Sequence, residues 1–257
     1  MLFDTHTHTT FSSDSLMTIA EAQQAAGRHN LGIIITEHLD LAYPEPELFT
    51  FNIEHYFTAY GPHRSDKLLL GLELGMSDDC VETNRQIVAA YPFDFVIGSI
   101  HVIENMDICS ELFCETWTKK ELYQQYFKAM LTCLKQYDFI DSLGHIDFIC
   151  RYAQFDDPEL YYFDFQTEID LVLSQLAEAG QAIEINTRRL GLSGTKEALL
   201  PIYDRFRELG GKYVTIGSDA HKPQNIGRDL SIGFEIAETC GLTPVYYQKR
   251  KPIKLTR

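Results

Sequence analysis

Short apolar runs alternate with longer amphipathic stretches along the chain, and this alternation restricts the fold more than any other feature. The runs are LFDTHTH (2–8), LGIIITEH (31–38), KLLLGLELG (67–75), FDFVIGSIH (93–101), DFIDSLGHID (138–147), GQAIEINT (180–187) and KYVTIGSDAH (212–221). Between them, helical periodicity runs over residues 15–30, 80–91, 118–137, 163–180 and 195–211, with Ser15 and Thr118 as expected N-caps. Strand–helix alternation predicts parallel strands joined by helical crossovers. About seven such units can form a closed barrel or an open doubly wound sheet. An open sheet often carries a glycine-rich nucleotide turn after its first strand. Here that place holds THTHTT (5–10), so the barrel is favoured. The chain has 257 residues, 45% of them hydrophobic, and no linker or low-complexity break, which predicts a single domain over 1–257. The aromatic stretch from Tyr43 to Phe57 reads as an ordered loop with a short helix over one end of the barrel.

Net charge is −15, which opposes binding to a phosphate backbone and argues against extended nucleic acid as a partner. A small anionic substrate stays compatible if local cations oppose the field. No apolar run reaches the roughly 20 residues of a membrane span. The start MLFDTHTH has no basic segment and no signal-peptide core, so the expectation is a cytoplasmic protein. Six cysteines, Cys80, Cys109, Cys114, Cys133, Cys150 and Cys240, form no C-x-x-C pair and are expected to be reduced and buried.

Histidine placement carries the chemistry. Of nine histidines, His29, His55 and His63 fall in helical or loop segments, while His6, His8, His38, His101, His145 and His221 each sit at or just past a strand's C-terminal end. In a parallel barrel those ends meet on one face, where catalytic groups collect. His6 and His8 share a face because strand period is two. Paired buried imidazoles repel if protonated and need partners if neutral, and a metal ion removes both difficulties. Glu73 ends an apolar run, and Asp219 lies in GSDAH. A carboxylate there is costly unless it is paired or coordinated. Asp14 fits either a ligand or the cap of a helix starting near Leu16. Nine nitrogen and oxygen donors exceed one tetrahedral site and suit a cluster of two or three Zn²⁺, Fe²⁺ or Mn²⁺ ions. Such clusters activate water and neutralise phosphoryl oxygens, so phosphoester hydrolysis is the leading chemistry.

The segments DTHTHTTFSSD, TEH, GLELG, GSIH, GHID, EINT and GSDAH resemble, in order, the motifs of the PHP (polymerase and histidinol phosphatase) superfamily, from Asp4 to about Arg228. The wording is most similar to the histidinol-phosphate phosphatase branch. The resemblance implies a distorted (β/α)7 TIM-like barrel with a trinuclear metal site at the C-terminal strand ends. It implies one ion held by His6, His8, Glu73 and Asp219. Glu73 would bridge to a second ion held by His101 and His145, and Asp14, His38 and His221 would hold a third. Many relatives have histidine where this chain has Asp14. The implied activity is hydrolysis of a small phosphomonoester, L-histidinol phosphate of histidine biosynthesis, with Glu73, Asp219 and His221 as catalytic groups and Asp219 or His221 managing the proton. Arg151, Arg188 and Arg189 are candidates to grip the phosphate, with surface salt bridges as the competing role. Only one of the adjacent pair Arg188 and Arg189 is expected to reach the site. Glu184 and Asn186 are candidate supports behind the ligands. Glu37 is expected to face away from His38, either orienting a ligand or serving structure. The alternative activities are phosphodiester or nuclease chemistry on nucleotides or DNA ends, and a non-catalytic metal-binding module. The near-complete ligand set weighs against the last. Substrate side chain, native metal and oligomeric state are open at this level.

Overall fold

A computed structural model of the protein describes residues 1–110 and 117–255; Cys114 lies outside them. Eight strands run parallel in one sheet, and seven of them form the ring: β1 (Phe3–Thr7), β2 (Gly32–Leu39), β3 (Leu68–Gly75), β4 (Phe95–Ser99), β7 (Ser142–Leu143), β8 (Ala182–Asn186) and β9 (Tyr213–Gly217). A small antiparallel hairpin of β5 (Val102–Ile103) and β6 (Met106–Asp107) follows β4. The upper rim closes on itself, because His8 N–H donates to Ala220 C=O at 2.9 Å and Ala220 N–H donates to His6 C=O at 3.3 Å. Asp4 reinforces this seam by accepting from Ser218 N–H, Ser218 Oγ–H and Gly227 N–H. At the lower end β9 pairs instead with β10 (Thr243–Gln248), which turns back antiparallel as β11 (Lys251–Lys254). That split between two neighbours is the distortion of the ring.

Crossover helices α1 (Ile19–Arg28), α3 (Val81–Ala90), α4 (Lys119–Leu134), α5 (Gln166–Ala179) and α6 (Thr195–Glu208) occupy the expected stretches. The sequence did not point to α7 (Leu230–Thr239) or the terminal hairpin. Thr118 caps α4 as expected, in a reciprocal capping box with Glu121. The cap of α1 is Thr18, not Ser15, and Asp14 caps nothing. Ser15 Oγ–H reaches the carbonyls of His8 and His221 instead, tying the loop after β1 to the loop after β9. The aromatic loop ends in α2 (Ile53–Tyr60). All five described cysteines are free: Cys133, Cys150 and Cys240 are buried, whereas Cys109 is exposed, against the expectation.

Strand parity explains where polar groups go. On β2 and β3, Ile33, Ile35, Leu68, Leu70, Leu72 and Leu74 pack outward against the helices. The opposite parity points inward. Its lower layer joins Phe3, Ile34, Leu69, Phe95, Ile97 and Ala182 to Val245 and Tyr247 of β10, which fill the bottom of the sheet. Continuing up the same inward rows gives His38 on β2, Glu73 on β3 and Glu184 on β8. Strand β1 starts with Phe3 inward, so strict alternation would turn His6 and His8 outward. A bulge corrects this: Asp4 pairs with Ile33, but Thr7 pairs with Ile35, so β1 gains one residue and both histidines face in.

Candidate metal centre

The inward rows bring the predicted donors together around Glu73, which is fully buried. Its Oε2 lies 3.1 Å from His6 Nε2, 3.3 Å from His8 Nε2 and 2.9 Å from His38 Nδ1. Its Oε1 lies 2.8 Å from His145 Nε2 and 3.3 Å from His101 Nε2, and accepts from Ser99 Oγ–H. The carboxylate thus faces two histidine groups with its two oxygens. Asp219 Oδ1 approaches His6 Nε2 at 3.9 Å and His8 Nε2 at 3.4 Å. Asp14, half-exposed, sets Oδ2 2.9 Å from His221 Nε2 and 3.7 Å from His38 Nε2. All nine predicted donors therefore meet at one rim, with His38 shared between the Glu73 side and the Asp14 side.

Groups behind the ring turn the lone pairs inward. Glu184 Oε1 holds His6 Nδ1–H at 2.7 Å, and Asp40 Oδ1 holds His101 Nδ1–H at 2.8 Å. Ser12 Oγ donates to Glu37 and so accepts from His8 Nδ1–H at 3.1 Å. Glu37 also accepts from Thr9 N–H and hydroxyl, so it faces away from His38 and orients His8 through Ser12. These partners assign the proton to Nδ1 and leave Nε2 of His6, His8 and His101 as a lone pair. Those three Nε2 atoms, His38 Nδ1 and Glu73 Oε2 are buried without a hydrogen-bond partner. Orphaned buried acceptors are costly, and a divalent cation satisfies several at once. Four overlapping trios of these side chains bring donor atoms within 4.8 Å of one another. The residues present fit divalent transition metals.

Electrostatics agree with a cation-seeking site. Against burial, Glu73 with Glu184 and Asp40 raises His6 and His101 well above the usual imidazole value. When protonated, these rings with His38 outweigh burial and hold the Glu73 carboxyl well below its usual range. Positive charge is thus favoured at the Nε2 positions, whether a proton or a metal ion supplies it. Burial, with His38 and His221 alongside, holds His8 well below the usual imidazole value. Asp219 is also held low despite burial, first by Arg151 and then by His6. Its backbone sits at φ 54°, a conformation uncommon for a residue with a side chain. Two glycines permit the crowding. A Cβ at Gly75 would lie 1.9 Å from Asp40 Oδ1, and one at Gly217 would lie 2.3 Å from the His6 Cβ.

The candidate phosphate arginines separate sharply. Arg151 ends a short 3-10 turn, donates to Asp219 Oδ2 at 2.5 Å and Asn186 Oδ1 at 2.9 Å, and keeps a buried Nε–H without a partner. Arg188 is half-exposed, loosely set 3.4 Å from His221 Nδ1, and lines the same cleft. Arg189 does not reach the site. It is buried on the far side, with Asp147 at 2.7 Å and Glu159 at 2.7 Å saturating its guanidinium. Residues at successive positions after β8 point oppositely, which is why only one of the pair faces the cleft. Asn186 and Glu184 lie behind the donors: Glu184 Oε2 accepts from His145 N–H and from Asn186 Nδ2–H. Sequence reasoning missed Asp40 and Ser12. Asp40 was legible in principle, since it continues the row Thr36, His38 by two.

Known proteins share this geometry and its sequence. A "Probable histidinol-phosphatase" of Clostridium acetobutylicum is 48% identical over 250 residues, covering 97% of this chain and 98% of the relative. A "Histidinol-phosphatase" of Lactococcus lactis is 30% identical over 85% of this chain and 83% of its own length. A crystal structure of histidinol phosphate phosphatase from the latter organism, complexed with zinc, L-histidinol and phosphate, superposes with a TM-score of 0.93 at 28% identity, covering 98% of this chain and 99% of that one. The sequence model described as "PHP domain" matches residues 4–188, which include His6, His8, Asp14, His38, Glu73, His101 and His145. With its donors gathered at the strand ends and its match spanning well over half of the 257 residues, the chain belongs to the PHP domain family.

Proposed function

We propose that this protein is a metal-dependent phosphomonoesterase whose substrate is L-histidinol phosphate. The observation that carries the reading is the ring of buried lone pairs on His6, His8 and His101 around Glu73, with two arginines at its edge. The substrate rests on the relatives, which are named histidinol-phosphatases, and on the neighbour's bound zinc, L-histidinol and phosphate. In this reading three divalent ions would be held, by His6, His8, Glu73 and Asp219, by Glu73, His101 and His145, and by Asp14, His38 and His221. Bound ions would supply Lewis-acid neutralisation of phosphoryl oxygens and activation of the attacking water. One domain over 1–257 belongs to the same reading, supported by β1 and β11 sharing a sheet.

The chain's own groups do the rest. The free Nε–H of Arg151 and the loosely held guanidinium of Arg188 bind phosphate oxygens. Arg151 also fixes Asp219 through Oδ2, leaving Oδ1 turned to the cleft to hold the proton of the attacking water. His221 Nδ1–H donates to the Asp219 carbonyl at 2.9 Å, which leaves Nε2 free to hold an ion and leaves Asp219 as the group that passes the proton to the leaving alcohol. Phe49 stands against His38 and Phe148 against His101 and His145, so both walls exclude bulk water.

The test is a phosphate-release screen of L-histidinol phosphate against nucleotides and phosphodiesters, with metal content measured on the same sample. The expected result is preferred release from L-histidinol phosphate and more than one equivalent of transition metal per chain. Trace metal after reconstitution with Zn²⁺, Mn²⁺ or Fe²⁺, or cleavage of diesters alone, refutes the reading.

A further inference from the structure

A second cavity, of about 300 Å³, lies beside the barrel rim and shares no lining residue with the metal cleft. Its walls are the loop after β3, the β5–β6 hairpin and one face of α4. That face presents Gln125, Lys128, Ala129, Thr132 and Cys133, whose spacing of three and four stacks them in one stripe. The floor is apolar: Met76 and Ile103 are buried, and Val102 and Ala129 are half-buried. Cys133 is buried there too, and its thiol makes no hydrogen bond among the described residues. Burial, with Asp78 next, pushes that thiol up to about 12, so it stays a neutral, weak donor.

The rim has the opposite character. Asp78, Asp79 and Glu104 line it, all exposed, and among the described residues no lysine, arginine or histidine pairs with their carboxylates. Lys128 is the one cation of the lining. Three like charges around one concave mouth repel one another, and low-dielectric walls focus their field into it. In a chain of net charge −15, nothing more distant offsets that field. A hard metal ion would find oxygen donors at the mouth only, because Met76, Ile103 and the thiol offer it none. An organic cation matches both halves, with its charged end among the carboxylates and its hydrocarbon on the floor.

We propose that this cavity binds a small organic ammonium ion with a short aliphatic body. The β5–β6 hairpin stands between it and the metal cleft: Val102 and Ile103 line the cavity, while Asp107, paired with Val102, lines the cleft. The ligand therefore sits outside the reaction site, and its binding is independent of the substrate reading.

The experiment titrates zinc-loaded protein with 3-methylbutylammonium and with its uncharged counterpart 3-methylbutan-1-ol, read by calorimetry and by backbone amide chemical shifts. The ammonium should bind about tenfold more tightly than the alcohol, with shifts centred on Val102, Ile103 and Ala129. Added salt should narrow that ratio, since the carboxylates are exposed. Asp79→Asn combined with Glu104→Gln should remove most of the preference, and Ala129→Trp should exclude both probes by filling the cavity. The surface pair carries the test if Ala129→Trp fails to fold. A wild type that binds both probes equally, shifts centred on the metal cleft, or variants that bind like the wild type overturn the site.

Discussion

Glu184→Gln probes whether His6 is presented to a metal by the group behind it. Glu184 is fully buried, and its two oxygens have different tasks. Oε1 accepts from His6 Nδ1 at 2.7 Å, and Oε2 accepts from His145 N–H at 2.8 Å and from Asn186 Nδ2–H at 3.1 Å. Glutamine has one acceptor and one donor end. If its carbonyl takes the Oε2 place, its NH₂ meets His6 Nδ1, which must then accept. The imidazole proton moves to Nε2, the atom that faces Glu73 and the centre. If the amide turns over, the correct tautomer survives, but NH₂ opposes two N–H donors. The first arrangement presents the wrong tautomer to the metal and the second leaves buried donors facing donors, at about 1–3 kcal/mol. That is roughly the tenfold to hundredfold loss typical of partners behind metal ligands. The assay is competition with a chelator for Zn²⁺, with phosphate release followed against free metal. Half-saturation should move upward by about tenfold to hundredfold, with turnover largely restored at saturating zinc. A variant that takes up and uses zinc like the wild type refutes the argument.

Glu73→Gln should abolish bridging, lowering turnover by about three orders of magnitude or more and metal content by at least one equivalent, read by steady-state kinetics and elemental analysis. Arg188→Ala and Arg151→Ala should raise KM for the phosphomonoester. Arg189→Ala should leave KM alone but cost about 3–5 kcal/mol in denaturant unfolding, because it strands Asp147 in the interior. Asp170 on α5 is held by a two-pronged contact from Arg205 on α6, at 3.0 and 2.9 Å. Arg205, against the small opposing effect of burial, depresses the folded-state carboxyl below its ordinary value. The contact therefore stabilises fully above the unfolded pKa and is lost as pH falls through the folded one. Asp170→Asn should lower stability by under about 1 kcal/mol at pH 7, with the difference fading below about pH 4 in thermal melts.

Much of the centre could be read from the chain because its parts are local. A parallel strand's C-terminal end is recognisable by its apolar run, and all parallel strands end on one face, so six histidines at such ends had to converge. The inward direction of His38 and Glu73 follows from period two alone. The crossover helices were legible for the same reason, since amphipathic periodicity and a cap such as Thr118 are properties of neighbouring residues.

What tertiary structure decided involves groups distant in sequence. Parity from Phe3 would have turned His6 and His8 outward; the bulge that reverses it exists because β1 must pair with β2 and also meet Ala220. Arg188 and Arg189 are equivalent as sequence, and Asp147 and Glu159 decide between them by capturing Arg189. Ser15 read as a cap because its local pattern was right, yet its hydroxyl is claimed by the His221 carbonyl 206 positions away. The terminal hairpin escaped notice because Val245 and Tyr247 complete a lower layer whose other members come from five strands. Chemistry type and rim were therefore written in local pattern. Proton placement, charge pairing and the closure of the ring depend on long-range contacts, because a hydrogen bond or ion pair is set by distance in space.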